Sequence, residues 1–358
     1  MIKISPNTRQ ALSDQKLQTN LDHVLGSTLD SRRKAVTKVE NWEELRQQAR
    51  DIKAHVLATL ADQLTRLEEK VVEQGGTVIW AQDSQQAVEF ILDLAHRKGI
   101  RQVIKGKSML CEEIKLNEAL ERSKIDPVET DLGEYIIQLA GETPSHILAP
   151  ALHKSRAEIA ELFTEKVGMK PTQDVVEITE TARRVLRRHF LTARMGITGI
   201  NFAVVETGTV VIVENEGNVR LAASMPDIHV AVMGIEKVIP RFSDLAVLLK
   251  LLTLSATGQK ISTYVNLING PRRDGEIDGP TEFYLVLVDN GRTQILEDQL
   301  LRQTLACIRC GACQNICPVY QRLGGHAYGS TYQGPIGAIL TPQLTSLANA
   351  PEHPYASS

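Results

Sequence analysis

Between Asn41 and Gln74 the apolar residues Trp42, Leu45, Ile52, Val56, Leu60, Leu64 and Leu67 recur at close to a helical period. The spacing predicts helix over many turns, and a helical character for the first seventy or so residues, ended by Gly75 and Gly76. The period then changes. The β-branched run TVIWA (77–81) reads as a strand, Ser84 to Arg97 as an amphipathic helix stopped at Gly99, Gln102 to Gly106 as a second strand, and Lys107 to Leu120 as a helix. Strand and helix alternating at this pitch predict a parallel α/β sheet. From Gly199 the pattern shifts again. FAVVETGTVVIVENEGN holds two β-rich runs joined at Gly208 and a turn at Asn215 to Asn218. That predicts antiparallel pairing, or strands with a bulge at the glycine. HVAVMG, STYVNLI and EFYLVLVDNG supply further strands, with an apolar helix from Ser243 to Leu254 between the first two. The expected organisation is a helical arm over 1–70, an α/β domain over 71–296 and a small cysteine-bearing segment over 297–358, without internal repeats.

Composition narrows the function. A chain of 358 residues that is 42% apolar can bury a sizeable core in two or three domains. A formal net charge of −3 excludes a strongly basic nucleic-acid binder, and 4% aromatic residues leave no stacking platform for single strands. No apolar run approaches the ~20 residues of a membrane span. The best candidate, LAVLLKLLTLSA from Leu245, is short and carries Lys250. The opening MIKISPNTRQALSDQ is polar and has no signal-peptide apolar region, so the expected location is the cytoplasm.

The cysteines carry the chemistry. Four of the five, Cys307, Cys310, Cys313 and Cys317, lie in CIRCGACQNICPVY, which reads C-x2-C-x2-C-x3-C-P. This is the bacterial ferredoxin spacing for a [4Fe–4S] cluster. Thiolates at i, i+3 and i+6 let one loop ligate three irons of a cubane. Gly311 and Ala312 keep that loop thin, and the fourth cysteine, after a longer spacer, is directed to another cluster in two-cluster ferredoxins. A zinc ribbon would separate two C-x2-C pairs by a longer loop, and a thioredoxin-like pair would not need the third and fourth cysteines. Cys111, alone after an apolar pair, reads as buried packing.

Other candidates are weaker. KGKSM (105–109) falls where a strand gives way to a helix, and Lys107 with Ser108 there is a candidate ligand loop for a carboxylate or phosphate. The plainer reading is a capped helix with solvated lysines. ENEG (214–217) faintly resembles the glutamate-bearing turn of CoA-transferases, against the preferred reading of a polar turn closed by glycine. Arg183, Arg184, Arg187 and Arg188, one turn after Glu177 and Glu180, read as solvated ion pairs on a helix face, and as a docking face for an acidic partner in the sharper reading. His189 reads as a packed histidine.

Taken together, ARMGITGINFAVVETGTVVIVENEGNVRLAASMPDIHVAVMGIEKVIP, SATGQKISTYVNLINGPR, DGPTEFYLVLVDNGR and CIRCGACQNICPVYQRLGGHAYGSTYQGPIGAIL are similar to the LutB family, the iron–sulfur subunit of bacterial L-lactate utilisation systems. The resemblance spans nearly the whole chain. It implies a NagB/RpiA/CoA-transferase-like α/β domain, called the LUD domain, followed by a helical ferredoxin-type segment with two [4Fe–4S] clusters. It also implies partner subunits with which L-lactate is oxidised to pyruvate and electrons are passed onward, so that this chain would be the electron-transfer component of an L-lactate dehydrogenase complex. The family pattern continues into a second C-x2-C-x2-C-x3-C-P motif, whereas the 358 residues hold one. By that pattern Cys307, Cys310 and Cys313 hold one cluster and Cys317 faces a second, so the expectation is a chain cut short of its second motif with at most one cluster. The alternatives are a small-molecule transferase or hydrolase using the LUD cleft, and a regulatory or scaffolding protein.

Overall fold

A computed structural model describes residues 6–345. The outermost parts of the expected arm and cysteine-bearing segment, 1–5 and 346–358, lie outside the described residues. Two compact units are formed, each from discontinuous chain: 31–128 with 193–310, and 6–30 with 129–192 and 311–345.

The first unit is built on two sheets. Strands β1 (Thr77–Ala81), β2 (Gln102–Lys105), β3 (Asp126–Glu129), β4 (Met195–Gly199), β7 (Ile228–Gly234) and β10 (Glu282–Val288) form one, in the order β1-β10-β7-β4-β2-β3. The pairs from β1 through β10, β7 and β4 to β2 are parallel. Strands β5 (Phe202–Val204), β6 (Thr209–Glu214), β8 (Val238–Ile239) and β9 (Tyr264–Ile268) form the second, in the order β8-β5-β6-β9. There β5 and β6 are antiparallel neighbours, with Val204 opposite Thr209 across the turn at Gly208, which settles the open choice in favour of a hairpin.

Side-chain alternation explains the stacking. Val230 and Val232 of β7 and Val286 and Val288 of β10 face Ile91 and Leu94 of the helix Ser84–Arg97, together with Cys111 and Leu120. Their neighbours Ala231, Met233, Leu285 and Leu287 face the opposite way. They meet Val210 and Ile212 of β6 and Leu60, Leu64, Leu67 and Val71 of the helix Leu60–Glu73. The far face of the second sheet (Phe202, Val204, Val211) packs on Trp42 and Leu45 of the helix Trp42–Ala58 and on Leu245, Leu248 and Leu252 of the helix Phe242–Thr257. Each fully buried Val, Leu or Ile contributes about 1.5–3 kcal/mol. A one-residue slip would move a whole strand's set to the wrong layer, so these registers are strongly determined.

Two helical expectations are refined. The long N-terminal helix breaks at Thr59, which leaves helical geometry (φ −126°, ψ 25°) while its hydroxyl donates to the His55 carbonyl at 2.9 Å. The break lets Trp42 and Leu45 face one layer while Leu60, Leu64 and Leu67 face another. Lys107 to Leu120 holds two short helices, Met109–Glu113 and Leu116–Arg122, because Lys115 is left-handed (φ 53°) between them.

The second unit is helical. Its helices include Pro6–Ser13, Leu132–Ala140, Arg156–Val167, Val175–Thr192 and Gly334–Leu344. Ser155 and Glu158 close a reciprocal capping box at the start of Arg156–Val167, and the Tyr135 and Phe163 rings meet edge to face at 6.2 Å. A local core gathers Leu21, Leu25, Leu152, Cys317, Tyr320 and Tyr328. The buried Tyr320 hydroxyl donates to the Ser145 carbonyl at 2.6 Å, and its burial raises its pKa well above the usual tyrosine value. The glycine-rich run after Pro318 contributes buried Tyr328, Tyr332 and Leu340. Its glycines permit backbone contact: a Cβ on Gly325 would lie 2.0 Å from the Ser145 carbonyl oxygen.

Candidate metal centre

The first two motif cysteines belong to the first unit, the last two to the second. The 3-10 helix Leu301–Ala306 delivers Cys307 in extended conformation (φ −65°, ψ 124°). Arg309 then turns left-handed (φ 60°), and its backbone N–H donates to Cys307 Sγ at 3.4 Å. A left-handed arginine costs about 1–2 kcal/mol, so this backbone is held by its surroundings. Gly311 follows at φ 77° and opens the short helix Ala312–Ile316, which carries Cys313. Cys317 ends that helix and is 3% exposed. All four thiols are free of disulfides.

Around Cys307 the first unit gathers buried charge. Lys53, 4% exposed on the helix Trp42–Ala58, donates to the Glu236 backbone carbonyl. Burial lowers the Lys53 pKa to about 8, although Glu236 opposes the shift, and Lys237 is lowered to about 8 by burial in the same way. Both lysines lie within electrostatic reach of Cys307. The Arg309 guanidinium stands 3.7 Å from the Glu236 carboxylate. Burial would raise the Glu236 pKa, but Arg292, Lys237 and Arg309 outweigh it and hold the group at about 2. Arg292 is 1% exposed and binds Glu236 at 2.7 Å and Glu113 at 2.8 Å. A thiolate needs positive potential and hydrogen-bond donors when water is excluded. Lys53, Lys237 and Arg309 supply the first, and the Arg309 N–H the second. The residues present therefore fit an anionic iron–sulfur group.

Sequence reasoning found the cysteines and missed this charge. The signal for Lys53 was its place on the buried face with Ala49 and Val56, at i−4 and i+3. Nothing local singled out Glu236 or Arg292 as partners.

The remaining candidates resolve differently. Ser108 is buried, and its hydroxyl accepts the Cys111 N–H at 3.2 Å, capping Met109–Glu113. It packs on Gly199, where a Cβ would come within 2.5 Å of Ser108 Oγ. Lys107 is half-buried beside it. Glu214 ends β6 with its carboxylate accepting from the Val219 and Arg220 N–H groups at 2.8 and 2.7 Å and from Asn266 Nδ2 at 2.9 Å. Such a carboxylate holds the following helix in place, so the structural reading of ENEG is the better one. Arg183 pairs with Glu180 at 3.1 Å on an exposed face, and Cys111 lies in the core. No described helix is long and apolar enough to cross a membrane.

Comparison with known proteins agrees with this arrangement. Residues 64–288 match the LUD domain, and residues 303–355 match the 4Fe-4S dicluster domain. "Lactate utilization protein B" of Bacillus licheniformis is 48% identical over 328 residues, covering 91% of this chain and 69% of that protein. "Lactate utilization protein B" of Bacillus thuringiensis is 48% identical over 328 residues, covering 92% of this chain and 69% of that protein. A crystal structure of a DUF162 family protein from Deinococcus radiodurans covers 64% of this chain and 98% of its own, at 12% identity and a TM-score of 0.35. With an α/β LUD domain, a ferredoxin-type segment and a [4Fe–4S] cofactor, the chain belongs to the LUD-domain iron–sulfur family of lactate utilization protein B.

Proposed function

We propose that this chain is the iron–sulfur electron-transfer subunit of a multisubunit system that oxidises L-lactate to pyruvate. The observation that carries the reading is the C-x2-C-x2-C-x3-C-P run, with none of its cysteines in a disulfide, inside the dicluster match. The names of the relatives supply the lactate context. Cys307, Cys310, Cys313 and Cys317 are the cluster ligands in this reading. A bound cluster supplies one-electron redox chemistry. The chain's own residues would hold the cluster through these four sulfurs, exclude water around Cys317, and set a positive field beside Cys307 through Lys53, Lys237 and Arg309.

The test is anaerobic purification with iron and sulfide analysis, and electron paramagnetic resonance after dithionite reduction. Cys313→Ser is expected to lose the reduced-cluster signal. In the encoding organism, deletion of the gene should abolish growth on L-lactate, restored by the native gene and not by Cys313→Ser. Restoration of lactate growth by a variant with all four motif cysteines changed to serine would overturn the electron-transfer role.

A further inference from the structure

Away from the cysteines, the second unit brings Glu142, His153 and His326 together, with one ligand atom from each lying within 4.8 Å of the others. Glu142 and His153 sit on the connection between the helices Leu132–Ala140 and Arg156–Val167, and His326 opens the turn His326–Tyr328. The two segments can meet because Gly325 passes against the Ser145 carbonyl, where any Cβ would collide. The imidazoles of His153 and His326 stand edge to face at 4.6 Å.

Hydrogen bonds hold each ring by one nitrogen. His326 Nε2 lies 2.7 Å from the Thr143 carbonyl oxygen, so it donates there and a neutral ring keeps its lone pair on Nδ1. Ser145 Oγ lies 2.8 Å from the Pro150 carbonyl and 2.9 Å from His153 Nδ1. When the hydroxyl donates to the carbonyl it accepts Nδ1–H, and the Nε2 lone pair of a neutral His153 then faces Glu142 Oε2 at 2.7 Å, where a metal ion would join the two; in the absence of metal a ring proton on Nε2 makes that contact. The other carboxylate oxygen, Oε1, is bonded by Lys154, which orients the group. Each ring thus has one nitrogen beside a backbone carbonyl or hydroxyl, as the outer-shell partners of metal-binding histidines are arranged.

We propose that Glu142, His153 and His326 form a binding site for a divalent transition-metal ion, with Zn2+ as the ion of best fit. Two imidazoles and one carboxylate match its preference for nitrogen and oxygen donors, and three protein ligands leave a fourth position for water. Glu142 is partly exposed and His326 exposed, so the ion has a route in from solvent. The site joins residues about 170 positions apart within one unit.

The test uses the full chain, purified anaerobically with its iron–sulfur content intact, loaded with zinc and desalted. One zinc per chain is expected beyond the iron. Zinc-edge X-ray absorption should show nitrogen and oxygen neighbours at about 2.0–2.1 Å and no sulfur at about 2.3 Å. By competition with a chromophoric chelator, His326→Gln, at an exposed position, should weaken zinc binding at least tenfold with iron and sulfide unchanged. Ser145→Ala, which removes the support of His153 along with the hydroxyl's bond to the Pro150 carbonyl, should weaken it about 10-fold. Failure to retain zinc, sulfur scattering at the zinc edge, or equal affinity in the native chain and His326→Gln would each overturn the proposal.

Discussion

Replacement of Arg292 by methionine tests whether the buried charge beside Cys307 is a coupled network. Arg292 binds two carboxylates at once, Glu236 at 2.7 Å and Glu113 at 2.8 Å, and donates to the Asp289 carbonyl at 3.0 Å. At an effective dielectric of about 20, one unit pair at this distance attracts by about 6 kcal/mol. Desolvation of the three ions, several kcal/mol each, cancels most of the gross attraction. The measurable quantity is therefore the cost of stranding a carboxylate, about 3–5 kcal/mol when one partner of a buried pair is removed. The two losses should not add. Glu236 keeps Arg309 at 3.7 Å, and Glu113 keeps the Asn290 amide at 2.7 Å. Arg292→Met is thus expected to lower unfolding free energy by about 3–5 kcal/mol at pH 7. Arg292→Lys should recover part of it, because an ammonium cannot fork between two carboxylates. The sign with pH follows from Glu236. Its folded pKa of about 2 lies below its ordinary 4.5, so its contribution is present above pH 4.5 and is lost as pH falls toward 2. Removing Arg292 raises that pKa, so the deficit should narrow in acid. Urea unfolding of the anaerobically purified protein at pH 7 and pH 4.5 measures both. A deficit under 1 kcal/mol at neutral pH, or one that widens in acid, would refute the coupling.

Two further outcomes follow. His229, fully buried in β7 with its Nε2 2.8 Å from the Thr198 hydroxyl, is held by burial at a pKa of about 3, below its ordinary 6.5. The unfolded chain takes up the proton first, so stability should fall by about 1.4 kcal/mol per pH unit from 6.5 toward 3, and His229→Gln should flatten that slope; an unchanged slope in urea titrations removes His229 as its source. Gly196→Ala would place a Cβ 1.8 Å from the Ala222 carbonyl oxygen, so backbone must shift, and a loss at or above the upper end of the usual 1–3 kcal/mol for overpacking is expected by thermal melting; a native melting temperature would show that β4 and the following helix can separate freely.

What the chain declares locally, it declares well. The near-continuous apolar runs EFYLVLV and HVAVMG mark strands buried on both faces, and they pair as parallel neighbours β10 and β7. The cysteine spacing names its cofactor class without any fold. The break at Thr59 was harder to see, because apolar spacing continues straight through it and only the packing shows that its two halves serve different layers. Lys115 hides in the same way: a lysine in a helical pattern gives no sign of a left-handed backbone. Least legible are features that need distant chain. The assembly of 6–30, 129–192 and 311–345 into one unit has no local signature. Nor does the meeting of His153 with His326.

The buried charge gives the cysteine loop a direction as well as a location. Lysines lowered to about 8 by burial remain mostly protonated at neutral pH, so the field they present to Cys307 is positive. Glu236 would cancel part of that field, yet its carboxylate is tied to Arg292 at 2.7 Å, and Arg292 is shared in turn with Glu113. The result is a fixed arrangement in which the acid near the loop is already matched and the excess is cationic. In the iron–sulfur reading, an added electron is accepted more readily beside such an excess. The energetic scale is set by the one-electron relation of about 59 mV per 1.4 kcal/mol. In that reading, a network that holds Lys53, Glu236 and Arg309 in place would bear on the cluster's potential as well as on the fold. Arg292 enters it by fixing Glu236 and by its own charge beside Lys237.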